Sequence, residues 1–375
     1  MPEKKRILHL ITGLEVGGAE MMLLKTLPQL QSSFDNCVCC IVGRGPMGKR
    51  LENVGIPVFY LDLRPISIFG SILCFRSIIK DFRPDILVTY LIHADLFGRI
   101  FGRLFGIKKI ICNQRGKLLQ WEFLRRVDYV TKSLVTKYIV QTKVAQRELM
   151  QKLRLPEERF IVIPNAIDTE EFNFEMDYGK KQAALSLKSD DMVITCVSKL
   201  RRGKGHEYLL EAFESLSLRG SEATAAIQSP HLKLLIVGDG EQKEKLFKQV
   251  TSYTSKSNIL FLGNRSDIKE ILKISDIFVL ATEGEGMSNA IMEAMASGLT
   301  VITTDIPENR ELVEHERTGI LVPTEDSSSL AKAIEDLLGD GQRRKNLGEN
   351  SKRNISKNFG AEIVVSKLTG FFDEL

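Results

Sequence analysis

The sequence predicts an α/β protein of two doubly wound domains, each a parallel sheet with helices on both faces. Three observations lead there. Short β-branched runs alternate with amphipathic helical segments, as in parallel strands joined by helical crossovers. The alternation runs twice, and the polar stretch Asp177–Asp191 separates the two runs. At 375 residues the chain is too long for one typical hydrophobic core.

In the first domain, strands are expected at Ile7–Thr12, Cys37–Val42, Val58–Leu61, Asp85–Thr89, Lys109–Asn113, Lys137–Gln141 and Phe160–Ile163. Helices are expected at Ala19–Leu30, Ile68–Asp81, Ala94–Phe105, Leu118–Ser133 and Lys143–Lys152. Strands of the second domain are expected at Met192–Val197, Lys233–Val237, Ile259–Leu262, Ile277–Leu280, Leu299–Thr303 and Ile320–Val322. Arg219–Leu232 is longer and more polar than an ordinary connection and reads as an exposed insertion without a catalytic part. Ser327–Leu375 reads as a series of helical segments.

Composition narrows the function classes. The 43% hydrophobic and 27% charged content is that of a globular protein, and no apolar run approaches the roughly 18 residues of a membrane span. The N-terminus has a basic start but no small-residue cleavage site, so no signal peptide is read there. Six cysteines without a second Cys or His pair to complete a zinc site read as buried reduced thiols, which points to the cytosol. The net charge of +4 hides an asymmetry. Residues 1–170 carry 26 basic against 16 acidic side chains, and residues 171–375 carry 26 against 32. Arg99–Arg154 alone holds 14 basic and 3 acidic residues. Two readings stand: a solvated basic face, or contact with an anionic membrane surface or anionic acceptor. The amphipathic stretch Lys117–Lys132, with the only Trp, is the candidate for membrane contact. Nucleic acid is not expected as a partner, because no binding module accompanies the charge.

The chemistry concentrates in Thr282–Asp305. An acidic, glycine-bearing loop, Thr282–Met287, ends at Ser288, a good N-cap. Asn289–Ser297 has helical periodicity, Gly298 suits a left-handed C-cap, and a β-branched strand follows. Glu285 precedes the helix and Glu293 lies in its second turn. Between them the unpaired N–H groups and the positive helix end favour an anion. Two carboxylates around an electropositive tip suit a ligand with phosphates in the middle and hydroxyls at both ends, the layout of a nucleotide-sugar. Lys199 and Lys204, in the basic loop SKLRRGKGH, place two ammonium groups where a diphosphate would lie, at the carboxyl end of a strand. Gly17 and Gly18 let backbone approach a ligand at the entry of the first helix, and His93 follows the fourth strand.

The Glu285/Glu293 spacing with its flanking EAMASG, the GGAE loop at Gly17–Glu20, and PNAIDTEEF at Pro164–Phe172 resemble retaining glycosyltransferases of family 4, with the GT-B fold. The resemblance implies two Rossmann-like domains facing a central cleft. They would be an acceptor-side domain over 1–170 and a nucleotide-sugar-binding domain over 171–353, with PNAIDTEEF as the hinge. A helix within 354–375 would cross back to the first domain. It also implies roles. Glu293 would hold the ribose hydroxyls and Glu285 the sugar's distal hydroxyls. Lys204 and Lys199 would hold the diphosphate, with Lys199 standing where the family has Arg. Gly286, Met287, Ser288 and Asn289 would line the donor, and Arg265 would lie near the base. His93 and the Gly17–Gly18 loop would close on the sugar, and Glu311 would be structural.

By this resemblance the chain transfers a sugar with retention of configuration, as a cytoplasmic enzyme of surface-polysaccharide synthesis at the inner face of the membrane. The donor would be a nucleotide-sugar, a UDP-sugar favoured over a GDP-sugar. The acceptor would be a saccharide or a lipid-linked precursor. No cofactor and no metal are expected, since the sequence has no Asp-x-Asp motif to hold a divalent ion on the diphosphate. The alternatives are a nucleotide-sugar epimerase or sugar phosphorylase on the same scaffold, or a non-catalytic sugar-binding protein.

Overall fold

The computed structural model describes residues 3–63, 68–115, 122–219 and 232–375. The chain divides into two compact units. The first is Met1–Ala166 with Ala361–Leu375, and the second is Ile167–Gly360.

The first unit holds a seven-stranded parallel sheet. Its strands are β1 (Arg6–Ile11), β2 (Asp35–Cys40), β3 (Val58–Tyr60), β4 (Ile86–Tyr90), β5 (Lys109–Gln114), β6 (Lys137–Val140) and β7 (Phe160–Val162), in the order β3-β2-β1-β4-β5-β6-β7. Strand pleat decides which core each residue enters. In β1, Ile7 and Ile11 join one cluster, with the helix Gly18–Leu30 and the last helix, Ala361–Glu374. Leu8 and Leu10 join the opposite cluster, with the helices Ile68–Phe82 and Ile92–Leu104. The last helix buries Ala361, Val364, Leu368, Phe371 and Phe372, at spacings that form one face. Phe372 meets the ring of Phe34 edge-on at 5.7 Å.

The second unit holds a six-stranded parallel sheet. Its strands are β8 (Met192–Val197), β9 (Leu232–Val237), β10 (Ile259–Gly263), β11 (Ile277–Leu280), β12 (Thr300–Thr304) and β13 (Ile320–Val322), in the order β10-β9-β8-β11-β12-β13. Both sheets reverse strand order once, between β1 and β4 and between β8 and β11. At such a switch point adjacent crossovers leave on opposite faces, and a crevice opens beyond the carboxyl ends of the strands.

Several expectations need correction. Arg99, read as part of a basic face, is fully buried. Its Nη1 donates to Asp128 Oδ1 at 2.6 Å and its Nη2 to Cys112 Sγ at 3.3 Å. Part of the local basic excess is therefore internal. Five cysteines are buried, but Cys74 is exposed, on the outer side of Ile68–Phe82. A further helix, Pro46–Asn53, lies between β2 and β3 and buries Met47, Gly48 and Leu51. Of the stretch Lys117–Lys132, residues 117–121 lie outside the described residues, and Glu122–Thr131 is helical. The expected insertion Arg219–Leu232 also lies outside them, over residues 220–231.

Candidate active site

In the second unit the switch point brings together the loop after β8 and the loop after β11. Gly203 O accepts from Thr282 Oγ1 and from Glu283 N, each at 3.0 Å, which fastens the two loops to each other. Gly205 makes the close approach possible. It has φ +66°, and a Cβ there would stand 1.9 Å from Ala281 O.

Lys204 and Glu285 meet where the two loops join. Lys204 Nζ donates to Glu285 Oε1 in an ion pair, with Lys204 only 8% exposed and the Glu285 side chain 13% exposed. The pair brings two residues 81 positions apart into contact. Beside it the helix Asn289–Ala296 begins. Ser288 caps it, its Oγ accepting from Ile291 N at 3.4 Å. The buried Met287, Ile291, Met292 and Met295 root the helix in the core. Gly286, Asn289 and Glu293 are half-buried around the helix start and first turns. Gly298 has φ +80° and ends the helix before β12. Thr304 Oγ1 donates to Thr282 O, so β12 supports the loop from below.

The other predicted residues of this unit take different places. Lys199 is exposed at the exit of β8, as are Arg201 and Arg202. Arg265, after β10, is engaged by its neighbour. Its Nε and Nη2 donate to the two oxygens of Asp267 at 2.8 and 2.6 Å. That fork, with Lys181 on the same carboxylate, holds Asp267 well below the usual carboxylate range.

In the first unit the predicted residues lie at the ends of β1 and β4. His93 is exposed in the first turn of Ile92–Leu104. Leu91, just before that helix, has φ +69°, a costly conformation for a branched side chain and one that gathers at functional sites. Gly17 is the N-cap of Gly18–Leu30 in extended backbone, with φ −157°. A Cβ there would stand 2.5 Å from Glu20 Oε2, the far end of a flexible side chain. Gly18 is exposed at the first helical position. Ala94 N donates to Thr12 Oγ1 at 3.2 Å and links the two strand ends.

Sequence reasoning missed His206. It is 1% exposed, and its Nε2 hydrogen-bonds with Ser198 Oγ at 2.8 Å. Burial first, and the charge of Lys204 second, hold its pKa down at about 4. The ring is therefore neutral at pH 7 and braces the loop that carries Lys204. Between pH 6.5 and about 4 the unfolded chain binds a proton on this residue that the folded chain refuses. His206 alone should contribute a fall of ~1.4 kcal/mol per pH unit through that window, up to ~3 kcal/mol, beside the contribution of the buried His9, which is also held down at about 4. Urea unfolding followed from pH 7.5 to 4.5 checks this: His206→Asn should reduce the acid slope by His206's share, and an unchanged slope would clear His206 of the effect.

The chain is similar to known proteins over nearly its whole length. The model of the family described as "Glycosyl transferases group 1" matches residues 177–354, and that of "Glycosyltransferase Family 4" matches residues 16–171. The UDP-Gal:alpha-D-GlcNAc-diphosphoundecaprenol alpha-1,3-galactosyltransferase of Escherichia coli is 28% identical over 387 aligned positions, covering 99% of this chain and 96% of that protein. The putative glycosyltransferase EpsF of Bacillus subtilis is 25% identical, covering 80% of this chain and 79% of its own. Among solved structures, HepE of Anabaena in complex with UDP superposes with a TM-score of 0.86 at 21% identity, covering 99% of this chain and 100% of that one.

Proposed function

The chain belongs to the group 1 glycosyltransferases, with the GT-B architecture and a nucleotide-sugar donor, and on that premise we propose that it transfers a hexose from a UDP-sugar to a lipid-linked diphosphosaccharide with retention of configuration. The observation that carries this reading is the Lys204–Glu285 pair at the β8/β11 switch point, beside the capped helix start at Ser288. A diphosphate placed there meets a buried ammonium and the positive end of the helix Asn289–Ala296. A hexose continuing past it meets Glu285, and a ribose on the other side meets Glu293.

When the sugar–phosphate bond breaks, negative charge grows on the leaving diphosphate. Preorganised donors at that point lower the barrier. Glu285 turns from Lys204 to the sugar's hydroxyls as Lys204 turns to the phosphate. The acceptor hydroxyl attacks from the face the diphosphate leaves, and the leaving phosphate takes its proton. The acceptor class follows from the Escherichia coli relative, whose name specifies a diphosphoundecaprenol-linked sugar.

Peripheral contact with an anionic bilayer is supported by the helix Ile68–Phe82. Ile68, Phe69 and Leu73 are exposed there at 51%, 74% and 48%, with Arg76 and Lys80 exposed farther along. Apolar side chains beside cations suit a headgroup boundary. No helix among the described residues is long and apolar enough to cross a membrane.

Thermal-shift screening of UDP- and GDP-sugars, followed by transfer assays with and without a diphosphate-linked acceptor, tests the reading. A UDP-sugar should raise the melting temperature, and transfer should persist with a chelator present. Activity lost to the chelator and restored by magnesium would overturn metal independence.

A further inference from the structure

The first unit contains a second cation that the donor site does not use. Arg115 follows β5 at the carboxyl edge of the sheet and is half-buried. Its Nε donates to Asn113 Oδ1 at 3.0 Å and its Nη1 to Asn165 Oδ1. Its Nη2 is covered and makes no hydrogen bond. Both partners are neutral amides, and no described carboxylate pairs with this guanidinium. Arg99 shows the contrast: it is fully buried and rests on Asp128.

The surroundings are rich in neutral polar groups. Tyr90, Gln141 and Asn165, from the ends of β4, β6 and β7, join Asn113 and Arg115 at one edge. Gln141 Nε2 donates to Asn165 Oδ1 at 2.7 Å, so that oxygen keeps a donor when Arg115 leaves it. Burial lowers the pKa of Arg115 to about 10, so it remains charged at neutral pH. A half-buried cation held only by amides, with its covered Nη2 amino group unbonded, gives up favourable interactions that an oxyanion restores. The guanidinium fork matches phosphate and carboxylate oxygens bidentately and prefers them to amide oxygens.

We propose that Arg115 rests on Asn113 and Asn165 and swings from Asn165 to bind a phosphoryl group of the acceptor, while Gln141 keeps Asn165 in place. This rests on the reading of the first unit as the acceptor side and adds to it a stated anion and the residue that takes it. Arg115 is a substrate-binding residue here. It selects the acceptor and leaves the donor chemistry to Lys204.

The test uses the full chain with Arg115→Gln and Arg115→Lys. Three acceptors with the same sugar are compared: an alkyl diphosphate, a matched alkyl carboxylate and a neutral alkyl glycoside. Arg115→Gln should raise KM for the diphosphate acceptor at least tenfold. It should change kcat, KM for the neutral glycoside and UDP affinity by less than about threefold, and Arg115→Lys should recover part of the loss. Equal losses on all three acceptors would make Arg115 structural and overturn the proposal, as would an unchanged KM for the diphosphate. A larger loss on the carboxylate acceptor would overturn the phosphoryl assignment. With saturating UDP present, inorganic pyrophosphate should stabilise the wild type and not Arg115→Gln. That outcome without transfer to any acceptor would retain the anion site and reject the transferase reading. Transfer by the wild type with no effect of Arg115→Gln would do the reverse.

Discussion

Replacing Lys204 with Met should reduce turnover by ~10²–10³-fold at saturating donor, the loss that follows removal of one donor to a developing oxyanion. Lys204 is the cation best placed for that charge. It is 8% exposed, it sits on a loop fastened by Gly203 O to Thr282 and Glu283, and its carboxylate partner among the described residues is Glu285. Lys199 and the exposed Arg201 and Arg202 have no comparable enclosure, so solvent screens them and they compensate little. The same substitution leaves Glu285 largely enclosed without its counter-charge. Stability should fall as well, by up to ~3 kcal/mol. The two effects separate in Lys204→Met/Glu285→Gln. Removing both charges should restore most of the stability and none of the turnover. Urea midpoints and kcat on the wild type, Lys204→Met, Glu285→Gln and the double variant measure this. Normal kcat per folded molecule in Lys204→Met would remove Lys204 from the phosphate site.

The parts of this site that lie within one run of chain were legible in the sequence. Ser288 as cap, Asn289 onward as helix, Gly298 as left-handed stop and the strand after it follow from local rules, because a cap and a period are properties of neighbouring residues. The strands of both sheets were legible for the same reason, since buried parallel strands read as short β-branched runs. What needed the fold was partner choice. The carboxylate 81 residues from Lys204 and the Asp128 that neutralises Arg99 become neighbours only through strand order. Charge counting therefore treated Arg99 as surface. Pro46–Asn53 escaped because GRGPMGK reads as a turn, and because a helix of eight residues shows barely two turns of periodicity. His206 and Arg115 carry no motif. Each is recognised by its surroundings, a neutral ring against Ser198 in one case and a cation among amides in the other.

Glu293→Ala should weaken binding of UDP by ~10–100-fold while leaving the fold intact. Glu293 is half-buried in the second turn of Asn289–Ala296, on a helix whose buried face is Ile291, Met292, Ala294, Met295 and Ala296. Alanine is the best helix former, and the side chain lies off the packed face, so the helix should tolerate the change. The lost interaction is different in kind. Hydrogen bonds from ribose hydroxyls to a carboxylate are charge-assisted and contribute ~1.5–3 kcal/mol, which sets the expected loss of affinity. Titration calorimetry with UDP and with 2′,3′-dideoxy-UDP makes the assignment specific. The wild type should distinguish the two ligands by that margin, and Glu293→Ala should bind both equally weakly. If the variant still prefers UDP by the full margin, another group holds the ribose and the donor lies differently across the helix start. At saturating donor kcat should change little, because the ribose contact is the same in the ground state and the transition state, and uniform binding of that kind affects KM alone. Lys204 and Glu293 should thus divide between them the two kinetic constants that a nucleotide-sugar enzyme presents.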